Sequence, residues 1–217
     1  MIKQYKILYK GGVGELIEKK SRFIATTKPV ESEEEVLAFL EEMRKKYWDA
    51  SHNCYAYVIG EQNQIQRCSD DGEPSQTAGR PMLDVLLGEE VHNICVVVTR
   101  YFGGTLLGTG GLVRAYSKAV QEGLASSCIL EKQLAKEIRI HTDYNGIGKI
   151  QYITAQMGIT TLDTVYTDAV EVTLLVPVDL AGTYEAKVTE GTNGRAVIED
   201  DGQVYFGVLD GEVIVFK

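Results

Sequence analysis

The segment from Asn93 to Tyr101 constrains the fold more than any other part of the chain. It is rich in β-branched side chains and shows no alternation of apolar and polar residues. A strand with one face in water alternates, so this pattern predicts a central strand covered on both faces. A glycine-rich segment follows, residues 102–111, and leads into a predicted helix over 111–125. The chain must therefore build layers on both sides of a sheet.

The rest of the N-terminal half supplies further strands and helices for such layers. Ser32-x-x-Glu35 is a capping box, which starts a helix by satisfying its first free amides. Apolar residues then recur at helical spacing up to Tyr47 and give this helix one buried stripe. The remaining patterns predict strands over 4–9, 15–27, 54–59 and 64–68 and a short helix over 80–87.

The C-terminal half alternates regularly between the two kinds of element. Its patterns predict strands over 136–142, 160–166 and 169–176, helices over 146–157 and 179–189 with Asp179 as the cap of the second, and a return to strand from Arg195 onward. The order β-α-β-β-α-β describes a ferredoxin-like split βαβ unit. The predicted fold class is therefore α+β, on a scaffold that hosts many unrelated functions.

Charge divides the chain unevenly. Up to Leu134 there are 16 basic and 18 acidic residues, whereas the remainder has 6 basic and 13 acidic residues, for a net charge of −9. This balance excludes a protein that coats nucleic acid by bulk charge, while a local basic face stays compatible with it. Together with the change in pattern, it predicts two abutting domains, 1–133 and 134–217.

Nothing in the sequence predicts secretion or membrane insertion. The N-terminus lacks an apolar core of signal-peptide length, and the longest wholly apolar run, residues 94–98, is far below the roughly 20 residues of a membrane helix. The four cysteines lie far apart without a CxxC pair, which predicts free thiols in a reducing compartment. We expect a soluble cytoplasmic protein.

The glycine-rich segment is the first candidate site. Glycine lets a backbone approach a ligand closely, and free amides at the start of the following helix favour an anion. The segment is neither a Walker loop nor a dinucleotide fingerprint, because it lacks Lys-Ser/Thr and the GxGxxG spacing. A tight connection in which glycines only allow close packing is the alternative. The predicted anion site comprises Arg100, Gly103, Gly104, Gly108, Gly110, Gly111 and Arg114.

The segment from Ser69 to Pro81 is the second candidate. Three carboxylates within four residues could hold a hard cation, but they lack the register of a calcium loop. A turn, or a loop fixed by pairing with an arginine such as Arg67 or Arg100, is the favoured interpretation, and we expect no metal and no cofactor. We expect this loop and the glycine-rich segment to meet in space, with a supporting polar set of His52, Asp70, Asp71, Glu73 and Arg80.

His52 and Cys54 are the third candidate, since a histidine near a thiol suggests an activated nucleophile. Two residues apart on a strand, their side chains share a face without the directed hydrogen bond that activation needs. A thiol at the start of an apolar strand is commonly buried and inert. We therefore expect no catalytic residue here and place His52 at the mouth of the site as a polar contact.

Four motifs together resemble the YigZ/IMPACT family. They are Ser21-Arg22-Phe23, His52-Asn53-Cys54, Ser69-Asp70-Asp71-Gly72-Glu73-Pro74 with Thr77-Ala78-Gly79, and Val98-Thr99-Arg100-Tyr101-Phe102-Gly103-Gly104 with Leu107-Gly108-Thr109-Gly110-Gly111-Leu112. The resemblance covers about residues 1–130, and the remainder looks like the small C-terminal domain of bacterial members. One departure is Gln76, which stands where the family pattern leads us to expect glycine.

The resemblance implies an N-terminal domain folded like the second domain of ribosomal protein S5 and a ferredoxin-like C-terminal domain. Eukaryotic members are associated with control of translation through the amino-acid starvation kinase pathway. We therefore expect a non-catalytic binding protein linked to translation, contacting RNA, the ribosome or a ribosome-associated protein through the glycine-rich face. An enzyme acting on a phosphorylated small molecule or nucleotide, and a protein-interaction adaptor without RNA contact, are the alternatives.

Overall fold

The computed structural model describes residues 2–216, and the chain forms two compact units, one within Met1–Glu131 and one within Lys132–Lys217. Both units combine helices with a β-sheet, so the α+β prediction is confirmed. The likeness of the units to ribosomal protein S5 and to ferredoxin stays a prediction, as do the domain ranges 1–133 and 134–217. No helix within residues 2–216 is long and apolar enough to span a bilayer.

The first unit is built on a five-stranded sheet in the order β2-β3-β7-β4-β5, in which all neighbours are antiparallel. A short parallel pair, β1 with β6, accompanies it. The elements are β1 (Gln4–Lys10), β2 (Val13–Glu18), β3 (Ser21–Pro29), α1 (Glu33–Lys46), β4 (His52–Ile59), β5 (Ile65–Ser69), α2 (Gly79–Gly88), β6 (Val91–His92), β7 (Ile94–Tyr101) and α3 (Thr109–Ala125).

The β-branched segment forms β7, the middle strand of this sheet. Val96 and Val98 point to the face covered by α2 and α3, where they join one core cluster. Cys95 and Val97 point to the opposite face, where the apolar stripe of α1 packs in a separate cluster. The prediction of a central strand covered on both faces is thus confirmed.

The predicted start of α1 agrees with the structure, and one predicted strand is divided. Ser32 Oγ accepts a hydrogen bond from the Glu35 N–H at 3.2 Å, as the capping box requires. The predicted strand over 15–27 is wrong as a single element, because Lys19 and Lys20 form a two-residue turn between β2 and β3. Both lysines have positive φ, the conformation of a tight hairpin turn that glycine or asparagine normally signals.

The second unit carries the sheet β9-β10-β8-β11-β12, again antiparallel throughout. Helices α4 and α5 cover one face, with Ile138, Ile140 and Tyr184 buried between the layers. The elements are β8 (Cys128–Thr142), α4 (Ile147–Gln156), β9 (Thr160–Tyr166), β10 (Val170–Pro177), α5 (Ala181–Gly191), β11 (Val197–Leu209) and β12 (Glu212–Phe216).

This order contains the predicted β-α-β-β-α-β succession followed by one extra strand. Residues Val197 to Leu209 and Glu212 to Phe216 pair as a hairpin, so the C-terminal segment that the sequence predicted as strand folds back on itself. The prediction that Asp179 caps the second helix of this unit is wrong. Helix α5 begins at Ala181 after Leu180, which contributes no side-chain hydrogen bond to the helix start.

Two glycines bring α3 unusually close to the sheet. A Cβ added to Gly14 on β2 would lie 2.3 Å from the carbonyl carbon of Glu122 in α3. A Cβ added to Gly123 would lie 2.9 Å from the Cβ of Ala25 on β3. The helix backbone therefore rests against the strands with no side chain between them, which fixes the position of α3.

We expect Gly14→Ala to lower the free energy of unfolding by about 2 kcal/mol, since the added methyl group overpacks a contact between two backbones. Gly88→Ala is the matched control, because nothing lies within 4 Å of the added Cβ there and glycine has positive φ at neither position. The control should be neutral or slightly stabilising, by up to about 1 kcal/mol. Urea unfolding of both variants measures the difference, and equal effects would contradict the packing argument.

Candidate functional site

A buried ion pair lies at the centre of the candidate site. Arg100 is the second-to-last residue of β7, and its Nη1 lies 2.5 Å from Glu73 Oε1 in the acidic loop. The side chains are only 6% and 3% exposed, so solvent does not screen their attraction. Arg100 Nη2 also donates to Ser21 Oγ at 3.4 Å, and its planar group lies over the ring of Phe23. The charge of Arg100 is therefore matched inside the protein.

Glu73 Oε1 has a second donor from α3. The Tyr116 hydroxyl donates to this oxygen at 2.8 Å, and Cys54 Sγ donates to the Tyr116 oxygen at 3.3 Å. Burial raises the pKa of the Cys54 thiol to about 12, so the thiol stays protonated at neutral pH and is a poor nucleophile. His52 Nε2 lies 3.9 Å from Glu73 Oε1, beyond hydrogen-bond distance. The hydrogen bonds of Cys54 Sγ go to the Tyr116 oxygen and the Asp70 carbonyl oxygen, and neither goes to His52.

Asp70 and Asp71 hold backbone groups. Asp70 Oδ1 accepts from the N–H groups of Ala78 and Gly79, at 2.9 and 2.8 Å, and so secures the start of α2. Asp71 Oδ2 accepts from the Asn53 N–H at 2.6 Å. The Asp71 carbonyl oxygen accepts from His52 Nδ1 at 2.8 Å. The acidic loop is thus tied to α2 and to β4. Its carboxylates fix the shape of the loop, as in the interpretation favoured from the sequence.

The electrostatics of Asp70 follow from these contacts. Partial burial raises its pKa, but three backbone N–H donors outweigh this effect, and the net pKa lies below the ordinary value. The third donor is Gln76, whose N–H bonds to Oδ2 at 2.8 Å. Within residues 2–216, no three or more His, Cys, Asp or Glu side chains are grouped so as to hold a metal ion.

Gln76 occupies a glycine-like backbone position. Its φ is 62°, in the left-handed region that costs an L-residue about 1 kcal/mol or more. Glycine adopts this conformation freely, which accounts for the glycine that the family pattern leads us to expect here. The hydrogen bond from its N–H to Asp70 holds the residue in this conformation.

The acidic loop and the glycine-rich segment line one cavity of about 560 Å³. Its polar floor includes His52, Glu73 and Arg100, and its walls are mostly apolar. Two apolar side chains of the glycine-rich segment stay exposed, Phe102 at 50% and Leu106 at 83%. The complete lining is Ser51, His52, Gly72, Glu73, Pro74, Arg100, Phe102, Leu106, Leu107, Gly108, Thr109 and Leu112.

Arg114 lies in a different place from Arg100. It lines a second pocket of about 230 Å³, together with Lys19, Lys118 and Glu18. Leu107 contributes to both pockets and is the residue between them. Of the seven predicted anion-site residues, Arg100 and Gly108 line the cavity, and Gly111 and Arg114 line the second pocket. The other three, Gly103, Gly104 and Gly110, line neither, and the role of all seven in binding stays a prediction.

The glycines of the predicted site have different structural roles. Gly103 is required for packing, because an added Cβ would lie 2.0 Å from the carbonyl carbon of Lys20. Gly104 and Gly108 have positive φ and open space around them, so they shape the backbone. Gly110 and Gly111 lie in the first turn of α3. Arg80, from the polar set, pairs with Asp84 on the exposed side of α2 and lines neither pocket.

Several important residues escaped the sequence prediction. Tyr116 lies within the helix predicted over 111–125 and was not singled out there, although a buried tyrosine hydroxyl usually requires a hydrogen-bond partner. Phe102 and Leu106 lie inside the glycine-rich segment, whose predicted site residues were its glycines and the arginines on either side. Lys19 and Lys118 are far apart in sequence, so only the fold brings them to the pocket of Arg114.

Comparisons with known proteins agree over almost the whole chain. Residues 19–124 match the family model described as the Impact N-terminal domain, and residues 140–195 match a domain of unknown function (DUF1949). The chain is 40% identical over 205 residues to the IMPACT family member YvyE of Bacillus subtilis, with 94% of each chain covered. It is 36% identical over 178 residues to the IMPACT family member YigZ of Escherichia coli, covering 81% of this chain and 87% of the relative.

One solved structure is similar to both units. A crystal structure described as that of a hypothetical protein superposes with a TM-score of 0.59 at 32% identity. The match covers 91% of this chain and 97% of the other. The similarity therefore extends beyond the N-terminal motifs to the C-terminal unit.

We expect Arg100→Met and Glu73→Leu each to lower the free energy of unfolding by about 3 kcal/mol or more, because each leaves a buried charge without its partner. The double variant should lose much less than the sum of the two, since it leaves neither charge. A double-mutant cycle by urea unfolding measures this coupling. Additive losses would contradict a pair that is coupled through its charges.

We expect Asp70→Asn to lower the free energy of unfolding at neutral pH by about 1 kcal/mol, because the neutral amide holds the helix start less well than a carboxylate. The folded-state pKa of Asp70 lies below the unfolded value of about 3.9, so this stabilisation is complete above that value and is lost as the pH falls through the folded-state pKa. The difference between variant and wild type should therefore shrink in acid.

Urea unfolding at neutral pH and near pH 3 tests the Asp70 prediction. Asp84→Asn is the control, since this exposed carboxylate only pairs with Arg80 along α2 and should matter by no more than about 0.5 kcal/mol. A difference between wild type and Asp70→Asn that is equal at both pH values would contradict the argument.

Proposed function

This chain belongs to the IMPACT family, and on that premise we propose that it is a non-catalytic binding protein of the translation apparatus, acting in the cytoplasm. It contacts RNA, the ribosome or a ribosome-associated protein through the face formed by the glycine-rich segment and the acidic loop. The observation that carries the proposal is the cavity, whose charged floor is internally neutralised and whose apolar rim is open to solvent.

The floor of the cavity supports binding better than catalysis. Arg100 and Tyr116 both donate to Oε1 of Glu73, and these two contacts hold the carboxylate in place in the floor of the cavity. The Cys54 thiol is buried and protonated at neutral pH. Arg100 Nε is buried without a hydrogen-bond partner among the described residues, but the bonds among Arg100, Glu73 and Tyr116 are formed and hold the floor of the cavity in a defined shape.

The rim supports a macromolecular partner. Phe102 and Leu106, both in the glycine-rich segment, expose apolar surface and line the same cavity. Apolar side chains clustered around a cavity are typical of surfaces that a partner covers. The backbone beneath them is set by Gly104 and Gly108 with positive φ and by the contact of Gly103 with Lys20.

The link to translation comes from the family. The motifs that carry the family resemblance are the same segments that form the cavity: His52 on β4, the loop from Ser69 to Pro74, and the segment after Arg100. This coincidence supports placing on this face the role associated with eukaryotic members. An enzyme acting on a phosphorylated small molecule remains the alternative that the 560 Å³ cavity favours, since its size suits such a ligand.

We expect the purified protein to co-sediment with ribosomes or their subunits, and Phe102→Ala/Leu106→Ala to weaken this association at least tenfold, because it removes most of the exposed apolar rim. Leu37→Ala/Trp48→Ala is the matched control. It removes two exposed apolar side chains of the same unit that lie in or after α1 and do not line the cavity, and it should sediment like the wild type.

Absence of co-sedimentation at low salt, or equal weakening by both double variants, would contradict the proposed function. Calorimetry with magnesium and the common nucleotides separates the alternatives in that case. Stoichiometric binding there would favour the enzyme, and heat-silent titrations would favour the adaptor without RNA contact.

A further inference from the structure

Four cations gather on one side of the first unit, in a chain whose net charge is −9. Lys19, Arg114 and Lys118 line the 230 Å³ pocket, and Lys20 adjoins it in the same turn. All four side chains are exposed, and none of the ion pairs within residues 2–216 uses them. Glu18 is the single acidic residue of the lining. We call these four residues the basic pocket.

Rigid elements hold the basic pocket in place. Arg114 and Lys118 are four residues apart on α3 and therefore share one face of that helix. Lys19 and Lys20 occupy a two-residue turn whose backbone conformation is fixed by the pairing of β2 with β3. Like charges so placed repel one another, and an anion that bridges them relieves this repulsion.

The basic pocket adjoins the apolar cavity. Leu107 lines both, so a ligand that lies across this residue contacts the two at once. The cavity offers the half-exposed ring of Phe102, and Ser51 and His52 contribute polar groups to the same lining. An aromatic platform beside a row of cations is the combination by which proteins bind single-stranded nucleic acid.

We propose that this face binds single-stranded RNA, with backbone phosphates in the basic pocket and one unstacked base in the cavity against Phe102. The inference rests on the proposed function and deepens it by naming the partner. A duplex fits less well, because its bases are stacked inside and cannot enter the cavity. The confined set of four cations gives modest affinity with a strong dependence on salt, since each phosphate contact releases counterions.

The test is fluorescence anisotropy with a labelled single-stranded oligouridylate, the full-length protein and a salt series. For the wild type we expect log K to fall with log salt with a slope of about −3, as four phosphate contacts give on a single strand. Lys19→Ala/Arg114→Ala/Lys118→Ala should reduce the slope to about −1 and the affinity at low salt at least tenfold. Arg44→Ala/Lys45→Ala/Lys46→Ala removes equal charge from α1 and should leave both unchanged.

Phe102→Ala isolates the base contact. It should weaken oligouridylate binding roughly tenfold while leaving the salt slope unchanged, because it removes stacking and no charge. We expect this variant to fold normally, because the ring of Phe102 is half-exposed and contributes little to the core. Circular dichroism and the urea midpoint test whether it is folded. A duplex RNA of the same length should bind more weakly than the single strand.

Three outcomes would overturn the inference. The first is that duplex and single-stranded RNA bind equally well and Phe102→Ala has no effect. The second is that the α1 control variant weakens binding as much as the variant of the basic pocket. The third is that labelled polyglutamate binds more tightly than oligouridylate, which would indicate an acidic protein partner. If RNA binding fails while co-sedimentation with ribosomes persists, the inference falls and the proposed function stands. If both fail, the proposed function falls with it.

Discussion

The Glu73–Arg100 pair is the interaction on which the arrangement of the candidate site depends. Two charges removed from water are stable only when each has its partner and further hydrogen bonds, and here Tyr116 and Ser21 supply them. These residues come from the acidic loop, β7, α3 and β3. One ion pair thus joins segments that lie far apart in the sequence, and the cavity takes its shape from them.

The ion pair also gives the two arginines near the glycine-rich segment different roles. From sequence alone, an arginine beside glycines and a helix start suggests a free charge for an anion. In the structure, Arg100 is neutralised by Glu73, whereas Arg114 remains exposed in a separate pocket with two lysines. The cations available to a partner are therefore Arg114 and its neighbours, and Arg100 organises the floor of the cavity.

Much of the fold could be predicted because its signals are local. The burial of β7 is encoded in its own β-branched run, and the start of α1 is encoded in Ser32 and Glu35. The turn at Lys19 and Lys20 was missed, since lysines adopt positive φ there only because the strands on either side pair. The basic pocket was missed for a related reason, because its cations meet only once α3 lies on the sheet.

The close contact of α3 with the sheet has a mechanical consequence. Helix α3 is continuous from Thr109 to Ala125, and the contact at Gly123 sits near its far end. Arg114 is about 13 Å away along the helix axis, at 1.5 Å per residue. The glycine contacts hold this end of the helix against the sheet, so they also help to determine where Arg114 and Lys118 lie relative to the turn of Lys19 and Lys20. Two glycines near one end of the helix thus help to set the spacing of positive charges near its other end.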